Sequence, residues 1–363
     1  MPLPASYEPY TDVYFLRSLE ILQKISLNPF VRAQVFFRKG PGKIYGMNEA
    51  LEIIKTYSKL LENGGRIFYL AEGEEYQPEE TVLLLEGRIQ DIIFLETMIL
   101  GVLSAETTKA NDKHGVNLES VTKRMKEITT LVGERPVFYF GARHWRYDED
   151  EKIANAAFKG GAAGASTNIG AQTFGKKGAG TIPHSLENIF AWKYGINRAV
   201  VESTKAFNQI IDPNIPRIAL VDYANMEVDD ALATAIEMQG KLSGVRVDTC
   251  GENMMQGADS KDGKGVTTSG VYNLRQKLDR AGFNNVQIFL SSGFGEVAKV
   301  KAFVDAEKKL GVRLFDSLGV GEVFDARTAT MDVVGVGETI DGLQPVSKVG
   351  RRYRSNGKLV QFI

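Results

Sequence analysis

The pattern of apolar and polar positions along the chain changes near residue 115. Before that point, the segment from about Asp12 to Leu27 is amphipathic at helical spacing. Short apolar runs, "RAQVFFRKG" and "GRIFYLAEG", read as strands, and "QDIIFLETMILGVLSAETTKA" reads as a helix. These elements predict a small α+β domain over residues 1–115 that ends in a helix. After residue 115 one unit recurs: a short apolar run, a glycine-bearing loop, then a helical pattern. The strand candidates are "PVFYFGAR", "RIALVDYA", "VRVDTCG", "VQIFLSSG" and "RLFDSLGVG", with "EVDDALATAIEMQGKL" and "SGVYNLRQKLDRAG" as helices between them. Buried strands followed by helices at this spacing predict parallel pairing and right-handed crossovers. A closed or nearly closed α/β barrel over 116–339 is the economical architecture, with a doubly wound sheet as the alternative. The tail 340–363, "VSKVGRRYRSNGKLVQFI" at its end, predicts a hairpin turning at Asn356-Gly357 and returning to the small domain.

Composition narrows the function classes. The chain has 363 residues, 43% hydrophobic and 25% charged, enough to bury a real core. Its 44 basic and 45 acidic residues leave a net charge of −1, so no global attraction to nucleic acid or a membrane surface exists and any anion site must be local. One cysteine, Cys250, excludes a disulfide framework and a four-cysteine zinc site, and points to a reducing compartment. The start has no basic region leading into an apolar core, and no apolar run is long enough to span a bilayer, so a cytoplasmic location is expected.

Polar residues at strand ends carry the candidate chemistry. They are Arg143, Asp222, Arg246 with Asp248, Ser291-Ser292-Gly293, and Gly319-Val320-Gly321. Two glycine turns on late strands could present backbone N–H groups to an oxyanion, although each could equally be a plain tight turn. Arg246 and Asp248, two apart on a strand, share a face and could be a simple ion pair. Arg143 could stack on the aromatic neighbours Phe138, Tyr139, Phe140 or Trp145. His184, in "GKKGAGTIPHSLENIF", is one of three histidines and follows a stretch rich in glycine with a proline before it. It is either a nucleophile presented by a loop or a histidine packed at a helix start capped by Ser185.

The motifs "TDVYFLR", "FGAR", "GTIPHS", "LVDYA", "VRVDT", "FLSSG" and "DSLGVG", in this order across nearly the whole chain, resemble those of the nicotinate phosphoribosyltransferases, especially the shorter archaeal and bacterial-type enzymes. The resemblance implies an irregular α/β barrel of the type II phosphoribosyltransferase kind with a smaller N-terminal α+β domain. It also implies a homodimer, or a higher oligomer, with shared active sites. The reaction it implies joins nicotinate to phosphoribosyl pyrophosphate, giving nicotinate mononucleotide and pyrophosphate, coupled to ATP and Mg²⁺. By the same likeness His184 is the histidine that ATP phosphorylates. Phe140 and Arg143 hold the pyridine ring and its carboxylate, and Tyr14 covers the other ring face from the partner subunit. Arg246 and Asp248 grip the ribosyl diphosphate, with Asp248 near Mg²⁺ and Asp222 as a helper. Ser291, Ser292 and Gly293, with Gly319 and Gly321, bind the 5′-phosphate.

Two residues depart from the family pattern. His144 stands where many relatives carry a second arginine, and Glu322 follows "GVG" where a hydroxyl residue is common. The cysteine-bearing zinc segment of some relatives is missing, so no structural zinc is expected. The rival readings are quinolinate phosphoribosyltransferase, nicotinamide phosphoribosyltransferase, and a catalytically silent phosphosugar-binding protein.

Overall fold

The computed structural model describes residues 2–363. The amphipathic pattern from Asp12 folds as the helix Val13–Lys24, which buries Tyr14, Phe15, Ile21 and Leu22 on one face. Five strands precede residue 90: β1 (Phe30–Phe37), β2 (Gly42–Lys43), β3 (Arg66–Tyr69), β4 (Glu75–Tyr76) and β5 (Thr81–Arg88). The apolar stretch before residue 115 forms a short helix, Ile89–Ile92, and a longer one, Glu96–Asp112, whose first three turns are buried all round. Burial on every side is what an unbroken apolar pattern in a helix requires.

The repeating units that follow supply β6 (Val137–Tyr139), β7 (Gly164–Ala165), β8 (Ile218–Leu220), β9 (Gly244–Val247), β10 (Gln287–Leu290) and β11 (Ser317–Val320). They form one sheet in the order β7-β6-β11-β10-β9-β8, with every pair parallel. The helices expected after β8 and β9 are Glu227–Glu237 and Thr268–Arg280. The barrel expectation is met in strand direction but not in closure, because β7 and β8 do not pair with each other. The chain segment ahead of His184 spans the gap. Ala179 N–H donates to Ala165 O on β7 (2.8 Å), and the Thr181 hydroxyl donates to Ile218 O on β8 (2.7 Å).

The last strands depart from expectation. β12 (Ala329–Gly337) pairs antiparallel with β1, so the chain returns to the N-terminal sheet before residue 340. The tail returns to the sheet of the small domain but makes no hairpin: β13 (Val360–Gln361) pairs with β3, giving the five-stranded order β12-β1-β5-β3-β13. Asn356 does turn the chain, but its side chain bonds Thr81 O and Lys358 N, so the turn is anchored to β5 and not to a returning strand. The two sheets enclose separate apolar cores, and the candidate site lies between them.

Candidate active site

The segment ahead of His184 packs on the helix Val13–Lys24. Gly180 has φ +144°, and a Cβ there would lie 2.8 Å from the Tyr14 ring. Only glycine combines that backbone angle with that approach. The helix His184–Tyr194 begins at the histidine itself, with Pro183 preceding it and no side-chain cap. Ser185 is therefore not the cap, and its buried hydroxyl has no partner.

His184 Nε2 lies 3.1 Å from Asp222 Oδ1. An ionised carboxylate only accepts, so the proton sits on Nε2 and Nδ1 keeps its lone pair. Lys348, from the C-terminal tail, forms a buried ion pair with the other Asp222 oxygen and also donates to Asp248 O (3.2 Å). Burial alone would raise the Asp222 carboxyl, but Lys348 and His184 hold it well below the usual carboxylate range. Burial, with the charge of Lys348, lowers His184 below its ordinary value, so the ring is neutral at pH 7.

The ends of β9 and β10 hold the second group. Arg246 Nη1 lies 3.3 Å from Asp248 Oδ2, and its Nη2 donates to Ile182 O (3.1 Å). The Ser291 hydroxyl donates to Asp248 Oδ1 (2.8 Å). Ser292 adopts φ +70° and Gly293 φ +78°, a left-handed pair costly for serine and typical of functional turns. Lys299 donates to Ser292 O (2.9 Å). Burial lowers the Lys299 amine, while Glu296, Asp248 and Glu322 pull it upward, so the carboxylate of Glu322 sits in the field of a lysine.

Arg143 anchors the third group. Its Nη1 donates to Glu96 Oε1 (2.6 Å), and its Nε lies 3.3 Å from Asp12 Oδ2. The Tyr14 hydroxyl donates to the same Asp12 oxygen (3.2 Å), and the guanidinium carbon lies 5.8 Å from the Tyr14 ring centre. Tyr14 of this chain thus reaches this chain's own Arg143. The helix carrying it is packed into the protomer's own core. Burial pushes the Glu96 carboxyl up to about 7, against the pull of Arg143.

Gly319, in β11, and Gly321, just after it, both lie against other side chains. A Cβ on Gly319 would meet the Phe140 ring at 2.6 Å, and one on Gly321 would meet His144 Cε1 at 2.8 Å. The space over them is filled by aromatic rings, which leaves Ser291-Ser292-Gly293 as the open turn. His144 does not substitute for a second arginine: its Nδ1 donates to Gly321 O (3.0 Å), and burial lowers it to about 4.

Arg143, His184, Arg246, Asp248 and Ser292 line one cavity of about 290 Å³. A neighbouring space of about 480 Å³ within the parallel sheet is lined by Phe140 and Gly319, and shares Tyr14 and Arg246 with the first. Five basic residues line the first cavity, Arg38, Arg143, Arg246, Lys348 and Arg351, against three acidic ones, Glu96, Asp248 and Asp332. That balance suits a polyanion. The sequence reading missed Lys348, Arg351, Glu96, Asp12 and Lys299. Among the described residues no cluster of His, Cys, Asp and Glu is built for a metal ion, and no helix is long and apolar enough to cross a membrane.

Residues 12–106 match the family described as the quinolinate phosphoribosyl transferase N-terminal domain. Two nicotinate phosphoribosyltransferases of Mycobacterium tuberculosis, pncB1 and pncB2, are 28% and 23% identical to the chain over 234 and 342 residues. Those alignments cover 64% and 86% of this chain but 45% and 65% of the relatives, so the chain spans about half to two thirds of their length. Among solved structures, nicotinate phosphoribosyltransferase from Porphyromonas gingivalis has a TM-score of 0.64 at 15% identity, covering 99% of this chain and 96% of that one. The enzyme from Vibrio cholerae has a TM-score of 0.67 at 13% identity, covering 95% and 88%. The chain shares the fold of these solved structures. The chain is thus similar to nicotinate phosphoribosyltransferases in sequence and in fold.

Proposed function

We propose that this chain is an ATP-coupled nicotinate phosphoribosyltransferase, a salvage step toward NAD. The observation that carries the reading is a neutral His184 held by Asp222 and facing a cavity rich in cations. In the coupled step the free Nδ1 attacks the γ-phosphorus of ATP, the bond to the β-phosphate oxygen breaks, and ADP leaves. Asp222 and Lys348 then stabilise the charge that develops on the ring and on the phosphoryl group.

In the transfer step the pyridine nitrogen bonds to ribose C1 as the bond to pyrophosphate breaks. The transition state resembles an oxocarbenium ion, so holding the leaving diphosphate and orienting the ring supply most of the acceleration. Arg246 and Lys348 are the cations for the diphosphate, the Ser291-Ser292-Gly293 turn receives the 5′-phosphate, and Asp248 faces the ribose hydroxyls. Phe140 and Tyr14 hold the ring and Arg143 its carboxylate. Mg²⁺ fits this donor set as an ion held by Asp248 and the substrate phosphates, since Mg²⁺ sites commonly take one or two carboxylates plus phosphates. When bound, it would offset the charge of the diphosphate. The reading includes a homodimer and a cytoplasmic location.

The test is an assay of nicotinate, nicotinamide and quinolinate in parallel with phosphoribosyl pyrophosphate, with and without ATP. Nucleotide formed from nicotinate in preference to the other two, and stimulated by ATP, is expected. Pyrophosphate release with none of the three would leave a phosphosugar-binding protein.

A further inference from the structure

Arg143 is already engaged before any substrate arrives. Glu96 and Asp12 both face its guanidinium, at 2.6 and 3.3 Å, and Asp12 is further held by Tyr14 and Thr97 hydroxyls at 3.2 Å each. Glu96 is buried, and Arg143 is its one hydrogen-bonding partner in the cavity wall. With both carboxylates ionised, the cluster of Arg143, Asp12 and Glu96 carries one net negative charge. A third carboxylate would then enter a partly dry site against its own sign.

We propose that Glu96 is a specificity-determining residue: capture of the nicotinate carboxylate by Arg143 requires uptake of one proton by Glu96. The proposal rests on the reading of Arg143 as the carboxylate ligand. Protonated, Glu96 releases Arg143 and turns from acceptor to donor, so its hydroxyl can bond the incoming carboxylate. Ionised, it keeps Arg143 neutralised and offers an acceptor that suits a carboxamide N–H. The acid is thus favoured over the amide on the acid side of the Glu96 titration.

The groups facing Glu96 are Arg143 from the segment after β6, Asp12 just ahead of the first helix, Tyr14 within that helix and Asp332 from β12, with His144 lining the same cavity. Burial raises Asp332 as well as Glu96, and the neutral His144 adds no charge. Glu96 itself titrates at about 7, so binding that needs its proton weakens as pH rises through that value.

The test measures nicotinate and nicotinamide binding to the full chain by calorimetry between about pH 6 and pH 8.5, in buffer pairs that differ in ionisation enthalpy. Wild-type nicotinate Kd should rise by up to about tenfold per pH unit above neutrality, with uptake approaching one proton, while nicotinamide shows neither effect. In Glu96→Gln the slope and the uptake should vanish, and nicotinate should bind more tightly than to wild type at the alkaline end. A flat wild-type Kd with no proton uptake overturns the proposal, as does a Glu96→Gln variant that keeps the slope. The proton count needs only the wild-type protein, so it decides the matter even if the variant does not fold. Absence of nicotinate binding at every pH, with no nucleotide formed, overturns the functional reading itself.

Discussion

Lys348 lowers the protonation of His184 and pairs with Asp222, and in the proposed phosphorylation it is the residue that matters most after the histidine. Removing its charge leaves Asp222 buried with only the imidazole to balance it, so His184 should become easier to protonate. In Lys348→Met we expect the His184 titration to move to higher pH, read from its ring proton signals by NMR; an unmoved titration would contradict the pairing. The uncompensated carboxylate should also cost about 3–5 kcal/mol of stability. Much of that should return in the double variant with Asp222→Asn. His184 was legible in the sequence because a rare titratable side chain stands after glycines and a proline. Lys348 was not, because a lysine in the basic tail "VSKVGRRYRSNGKLVQFI" carries no periodic or motif signal. Glu96 left a fainter trace: it is the acidic residue that opens an apolar helix, which reads equally well as a favourable charge at a helix N-terminus.

Elements of two to four residues build the parallel sheet, and their order follows from apolar runs separated by helical patterns. "PVFYFGAR", "RIALVDYA", "VRVDTCG" and "VQIFLSSG" each contain the strand expected of them, and "RLFDSLGVG" contains β11 in its second half. What the pattern could not reveal is which glycine turn stays open. Gly319 and Gly321 look like an anion cradle in sequence, yet the rings of Phe140 and His144 occupy the space over them, a long-range contact that no local signal encodes. Gly319→Ala should therefore force Phe140 aside and destabilise the protein by about 1–3 kcal/mol in urea unfolding. An unchanged midpoint would mean that the ring yields freely.

The whole molecule ties its ends together: β12 and β13 return to the sheet of β1, and the tail between them delivers Lys348 and Arg351 to the cavity. The small N-terminal sheet and the parallel sheet were legible, but the pairing of the tail was not, because the partner of β13 lies in a strand far earlier in the chain. Burial pushes three carboxyls, Glu96, Asp150 and Asp230, up to about 7. Each folded-state value is raised above the unfolded one, so the stability it contributes is lost as pH rises through about 7. The lowered histidines oppose this only below their unfolded value of about 6.5. The Tm should accordingly fall between about pH 6.5 and pH 8.5, and a Tm that climbs over that range would contradict the burial of these carboxyls. The central claim, nicotinate transfer driven through a phosphorylated His184, is tested most directly by nucleotide formation from nicotinate and phosphoribosyl pyrophosphate with and without ATP, in wild type and His184→Asn. Wild type should be stimulated by ATP and carry one acid-labile, base-stable phosphate, while His184→Asn should keep a slow transfer that ATP does not change. Full ATP stimulation in His184→Asn would contradict the account.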